Sequence, residues 1–247
     1  MMKSLIFKFW CLLIIIFCIL SPSLSQAIEL TGAGATFPQP VIEAWAYEYY
    51  KLTKVKINYQ GIGSGGGIKQ AQEKTVDFGA SDKPLASEEL RKYNLVQFPF
   101  IIGAVVITYN LPELKNISLN LDHKAICDIY LGKIKNWNDP YLKKLNPKVN
   151  LPERPIVVVR RSDGSGTTWL FTTYLSKACH EWKEKVGAGT SVNWPVGIGA
   201  NLLNAKGSAF ITPSVKSMQS AVSNAKWKME KEHLLFLYLL INLMQKR

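Results

Sequence analysis

The sequence predicts an α/β fold with mostly parallel strands, and three observations carry that reading. Short apolar, strand-like runs alternate with helical ones along most of the chain. Four times a strand end is followed at once by glycine or hydroxyl residues and then by a helix start. The composition, 247 residues with 47% hydrophobic and 19% charged, is that of an ordinary globular protein and excludes a disordered chain, a collagen-like repeat and a disulfide-dense miniprotein. A chain of this length fills one large domain or two lobes, and length alone does not choose.

Taken in order, residues 1–27 carry Lys3 and Lys8, the apolar run Phe9–Leu20, and then S-P-S-L-S-Q-A with small residues at Ser25 and Ala27. That is a secretory signal cut after Ala27. Its 12 apolar residues fall short of the ~20 that cross a bilayer, and bulky Phe17 before Cys18 argues against lipid attachment. With Cys11 and Cys18 in the leader, Cys127 and Cys179 remain, either as one disulfide or as two thiols.

Ile28–Thr31 reads as a strand running into G-A-G-A-T-F. Pro38 and Pro40 then open a helix with Val41, Ala44, Trp45 and Tyr49 on its apolar face. Val55–Gln60 alternates like a strand, meets G-I-G-S-G-G-G at 61–67 and gives way to a helix through Lys74. Val76–Ala80 is a third strand ending at Ser81-Asp82, and Ser87-Glu88-Glu89 opens another helix. Phe98–Asn110 is nearly continuous in apolar residues and reads as one long buried strand crossing between lobes. Ala125–Leu131 and Pro140–Leu145 are short helices with Trp137 between them, Ile156–Val159 is a buried strand, and Thr167–Lys177 is a helix after the polar loop Arg160–Gly166.

The four strand-to-helix loops suit an oxyanion. A helix N-terminus exposes unpaired N–H groups with a partial positive charge, ligands gather at the carboxyl ends of strands in open α/β sheets, and Thr36, Ser64, Ser165 and Thr167 add hydroxyls there. The same residues also make ordinary turns and caps, and the sequence does not prove that the loops converge. In V-V-V-R-R-S-D-G-S-G-T-T, Arg161 supplies a guanidinium that Asp163 is placed to hold. Asp82 repels an anion unless the anion carries a proton; a carboxylate only accepts, so it pairs with the P–OH of phosphate and rejects sulfate.

Other chemistries fit poorly. The net charge of +12 drops to +7 once the leader and the tail from Lys226 are set aside, with no basic stripe interleaved with aromatics for nucleic acid. His123, His180 and His233 have no orienting motif, against a serine hydrolase. Gly67 is followed by Ile68, so the glycine segment lacks the G-K-[ST] ending of a nucleotide-binding loop. No metal site or cofactor is expected.

At L-T-G-A-G-A-T-F-P (30–38), N-Y-Q-G-I-G-S-G-G-G (58–67), V-D-F-G-A-S-D (76–82), I-Y-L-G-K-I-K-N-W (129–137) and V-V-R-R-S-D-G-S-G-T (158–167) the sequence closely resembles the phosphate-binding subunits of bacterial phosphate-specific ABC transporters. The resemblance implies a type II periplasmic binding fold, two α/β lobes closing on a ligand cleft. It implies a non-enzymatic monomer in the periplasm that captures inorganic phosphate and delivers it to permease subunits at the inner membrane, without a role for nucleic acid. By motif match the phosphate-binding residues are Thr36, Phe37, Ser64, Asp82, Arg161, Ser165, Gly166 and Thr167, with Ser81 beside them.

The departures come after Ala200, which N-L-L-N-A-K-G follows where the family has a longer segment. About 30 residues are missing before P-S-V-K-S-M-Q-S-A-V-S-N-A-K-W at 213–227, and the tail after Trp227 no longer resembles the family. The expected organisation is a signal at 1–27, a first lobe at 28–108 left incomplete, a partial second lobe at 109–200, a residual family segment at 201–227 and an atypical tail at 228–247. A shifted reading frame and a terminal amphipathic helix are both open readings of that tail. The alternative function is a shortened remnant that keeps the motifs but binds no phosphate.

Overall fold

The computed structural model describes residues 28–114, 117–199 and 210–216. The leader and the tail beyond Lys216 lie outside the described residues, and so does most of the 201–227 segment.

Two sheets organise the chain. In the first, β1 (Glu29–Gly34) lies between β2 (Lys56–Gly61) and β3 (Phe78–Ala80), all parallel. β1 is longer than the apolar run suggests, because the glycine segment continues the strand. β3 is shorter than Val76–Ala80: Asp77 turns its carboxylate to the N–H and hydroxyl of Thr31, at 2.7 and 3.0 Å, before the ladder begins.

Helix α1 (Gln39–Thr53) connects β1 to β2 and ends at Lys54 in the left-handed region, φ 62°. Ile42 and Tyr49 are buried, with Trp45 half-buried between them, a stripe of helical period. Ala44, expected inward, is exposed because it lies about 200° around the helix from Ile42. Helix α2 (Ser64–Glu73) begins inside the glycine segment, and α3 (Ser87–Tyr93) carries Glu88 and Glu89 in its first turn and Arg91 and Lys92 in its last, matching the helix dipole.

The run from Phe98 does not form one crossing strand. Pro99 has no N–H to give a ladder, residues 94–103 are irregular, and β4 spans Ala104–Asn110. β4 belongs entirely to the second sheet, of order β4-β7-β5-β6, with β5 at Val157–Arg160, β6 at Ile198–Gly199 and β7 at Phe210–Lys216. β7 runs antiparallel to β4, from Asn110↔Phe210 to Ala104↔Lys216, and parallel to β5. β7 thus joins the same sheet beyond Ala200.

Four helices pack on this sheet: α4 (His123–Tyr130), α5 (Pro140–Leu145), α6 (Gly166–Ala178) and α7 (His180–Lys185), the last not foreseen from sequence. Asp122, Asp139 and Ser165 cap the first three with side-chain oxygens. Their core is continuous and includes Tyr130, Trp137, Leu142, Leu175 and Trp182. Cys127 and Cys179 form a disulfide that ties α4 to the α6–α7 junction, which closes the question left by the sequence. Among the described residues no helix is long and apolar enough to cross a membrane.

Candidate functional site

The loops that leave the carboxyl ends of β1, β2, β3 and β5 meet one another. Gly63, at φ 88°, lets the chain leave β2 and enter α2, and its N–H donates to the Gly34 carbonyl at 2.8 Å. Across the gap the Gly65 N–H donates to the Gly164 carbonyl at 2.8 Å. Gly166 admits no side chain: a Cβ there would lie 2.5 Å from Ser64 Oγ and 2.6 Å from Asp82 Oδ2. Its missing side chain lets the N-terminus of α6 come down on Ser64 and Asp82, and this joins the two halves.

Thr36, Ser64, Asp82, Arg161 and Gly166 meet at this junction, Ser165 and Thr167 flank Gly166, and the half-buried Phe37 follows Thr36 in the chain. The three best-defined hydroxyls share one feature. Ser64 Oγ accepts from the Asp82 N–H at 3.2 Å, Ser165 Oγ from the Thr168 N–H at 3.2 Å, and Thr36 Oγ1 from an Arg161 Nη1–H at 3.3 Å. Each oxygen is therefore held by a protein donor, leaving its own O–H to donate into the cleft. Ser64 and Ser165 are 1% and 2% exposed, so their positions are fixed by packing.

Backbone donors complete the arrangement. Among the described residues no protein acceptor takes the N–H of Thr36, Phe37, Ser64, Gly166 or Thr167, and the last three open α2 and α6, where the helix field favours an anion. Ser165 offers a hydroxyl alone, because its N–H is spent on the Thr190 carbonyl at 2.9 Å. Ser81 also drops back, since its hydroxyl closes a turn with Lys83.

Arg161 is gripped by Asp163 through both carboxylate oxygens, Nε–H to Oδ1 at 2.6 Å and Nη2–H to Oδ2. The fork fixes the plane of the guanidinium and leaves its Nη1 edge toward Thr36. Asp82 is half-buried among these donors; burial raises its pKa above the ordinary 3.8, and the Arg161 charge pulls it back down. The site thus offers a cation, a crowd of donors and one acceptor that ionises at higher pH than a surface aspartate.

Sequence reasoning missed two contributors. Gly65 and Gly164 meet backbone to backbone, and Tyr59 on β2 donates its O–H to the Ala35 carbonyl at 2.7 Å. The signal for the first was the glycine density of both loops, and for the second a lone aromatic hydroxyl just before a glycine segment. Among the described residues no cluster of His, Cys, Asp and Glu is able to hold a metal ion.

Residues 21–233 match the family model of the PBP superfamily domain. The Phosphate-binding protein PstS of Pasteurella multocida is 46% identical over 237 residues, covering 83% of this chain and 69% of that protein. The Haemophilus influenzae protein of the same name is 49% identical over 209 residues, covering 85% and 61%. The chain thus spans 61–69% of the length of these relatives. The Pasteurella alignment takes in 83% of 247 residues yet extends over 237 positions, leaving about 30 positions without a counterpart here; the Haemophilus alignment opens none. A Clostridium perfringens structure, described as a phosphate ABC transporter substrate-binding protein with bound phosphate, aligns with a TM-score of 0.55 at 28% identity, covering 76% of this chain and 70% of that one. With the family model spanning most of its length and these relatives so similar, the chain belongs to the PstS family of phosphate-binding proteins within the PBP superfamily.

Proposed function

We propose that this chain is an exported, non-enzymatic solute-binding protein that takes inorganic phosphate into the cleft between its sheets and hands it to the permease subunits of an ABC transporter. One observation carries the reading: an ionisable acceptor, Asp82, stands inside a ring of donors that ends at Arg161. Donors and a guanidinium bind any tetrahedral oxyanion, whereas a carboxylate among them adds attraction only for one that keeps a proton, as phosphate does and sulfate does not near neutral pH. Thr36, Phe37, Ser64, Arg161, Ser165, Gly166 and Thr167 are the donors in this reading. The names of the relatives and of the Clostridium structure support the ligand and the transporter. The Cys127–Cys179 disulfide suits export into an oxidising compartment, as the leader expected at 1–27 does.

Calorimetric titration of the purified chain tests this. Phosphate and arsenate are expected to bind at one site and sulfate to give no comparable heat, while equal binding of phosphate and sulfate would remove Asp82 from its role. A second reading, a remnant too poorly built to close on its ligand, draws on the first sheet: among the described residues it has three strands, and both outer edges lack a partner. Cooperative unfolding together with micromolar phosphate binding would exclude that remnant.

A further inference from the structure

Tyr59 is not one of the motif ligands, yet a chain of contacts through Gly32, Phe78 and Ala35 places it next to them. Gly32 on β1 pairs with Tyr59 on β2 and with Phe78 on β3, so the three residues form one row across the sheet. Gly32 has no side chain, and a Cβ there would meet the Phe78 ring at 2.2 Å. The Phe78 ring therefore lies over the glycine and stacks on Tyr59, with centroids 6.0 Å apart and planes 19° from parallel. That stack aims the Tyr59 hydroxyl past the end of β1, where it donates to the Ala35 carbonyl at 2.7 Å. The Ala35 N–H is fixed as well, donating to the Ala80 carbonyl at 2.8 Å.

The peptide joining Ala35 to Thr36 is planar and trans, so its C=O and N–H point in opposite directions. A hydroxyl that holds the Ala35 carbonyl on one side sets the direction of the Thr36 N–H on the other. We propose that Tyr59 is a positioning residue of the anion site, holding this peptide so that the Thr36 donor and the Phe37 backbone after it face the ligand. The proposal rests on the phosphate-binding reading above. Burial and the nearby Asp82 carboxylate raise the Tyr59 pKa, which favours the protonated hydroxyl that donates to Ala35.

The test compares Tyr59→Phe with the full wild-type chain; phenylalanine keeps the stack on Phe78 and removes only the hydroxyl. Three quantities are measured: phosphate affinity by calorimetry, the melting temperature without ligand, and the amide resonances of Thr36, Phe37, Gly166 and Thr167 with and without phosphate. Loss of one hydrogen bond that orients donors is expected to weaken phosphate binding about tenfold. The melting temperature should stay within a few degrees, and the phosphate-induced shift of the Thr36 amide should shrink while that of Gly166 persists. Affinity within twofold of wild type overturns the proposal, as does a loss of affinity with the Thr36 response intact. Absence of phosphate binding by the wild-type chain speaks against the ligand reading; the ligand-free spectra then decide on Tyr59, because unchanged Thr36 and Phe37 amides in Tyr59→Phe overturn its role.

Discussion

The two sheets contribute comparable numbers of ligand groups to one cleft but are built to different standards. Among the described residues the second has one continuous core of fifteen buried apolar side chains, with Trp137 and Trp182 fully enclosed and a disulfide across it. Among the described residues, the first has five in clusters, Leu30 with Tyr49 and Ala35 with Ile42 and Ala80, while Ala33 is buried outside both. Around it Leu52, Val96 and Ile102 are 65%, 78% and 86% exposed. The proposed binding groups are thus separable from the scaffold that holds them: Thr36, Ser64 and Asp82 depend on the thin half, Arg161 and Ser165 on the thick one.

The largest effect should come from breaking the thick half. Trp182→Ala empties a fully buried site and removes an N–H bond to the Gly187 carbonyl at 2.9 Å, so about 3–5 kcal/mol of stability should be lost. Tyr49→Ala, at the edge of a two-residue cluster, should cost less, because its surroundings can collapse. Denaturant midpoints of the two variants rank them, and equal losses would mean that the halves are equally well packed.

Next comes the disulfide, which closes a sequence separation of 52 residues. Replacing Cys127 and Cys179 by Ser should cost ~2–4 kcal/mol. Because Ser64 and Asp82 belong to the other half, their ordering should not change, and urea unfolding followed by tryptophan fluorescence, to which Trp137, Trp169, Trp182 and Trp194 of the second half contribute against Trp45 of the first, reads the loss.

Ligand groups should show smaller energies but sharper selectivity. Arg161→Ala is expected to weaken phosphate and arsenate alike by about 2–3 kcal/mol, the value of hydrogen bonds to a charged group. Lys69→Ala, an exposed position paired only with Glu73, should change little. Asp82→Asn should narrow the phosphate-to-sulfate ratio by about tenfold. The pH dependence has a definite sign. Since burial raises the Asp82 pKa, wild-type affinity should fall as pH drops through a value above 3.8, and Asp82→Asn should lack that acid limb. For stability the same shift acts in reverse: ionising Asp82 is harder in the folded state, so this group withdraws stability as pH rises.

Much of this was legible in the sequence, for reasons that particular residues show. Pro38, the glycines at 61–67 and S-D-G-S-G-T constrain the backbone locally, so the loops around the site could be read. The long run Phe98–Asn110 misled because apolar composition does not register that Pro99 breaks a ladder and that 94–103 lie between sheets. The Cys127–Cys179 pairing and the Tyr59–Ala35 bond depend on distances across the fold, 52 and 24 residues apart, which no local pattern encodes. That Ser165 has only a hydroxyl to offer was likewise not legible, since the fate of its N–H hangs on Thr190, far along the chain.

Hydrogen exchange on the full chain, with and without phosphate, tests most directly whether a thin half and a thick half share one site. Without ligand, amides of β1 and β2 should exchange markedly faster than those of β5 and α6, because local opening is cheapest where few apolar contacts resist it. Saturating phosphate should then slow exchange at β1, β2 and the start of α2 more than in the core around Trp182. Equal protection of the two sheets without phosphate, or protection by phosphate confined to one of them, would contradict the account.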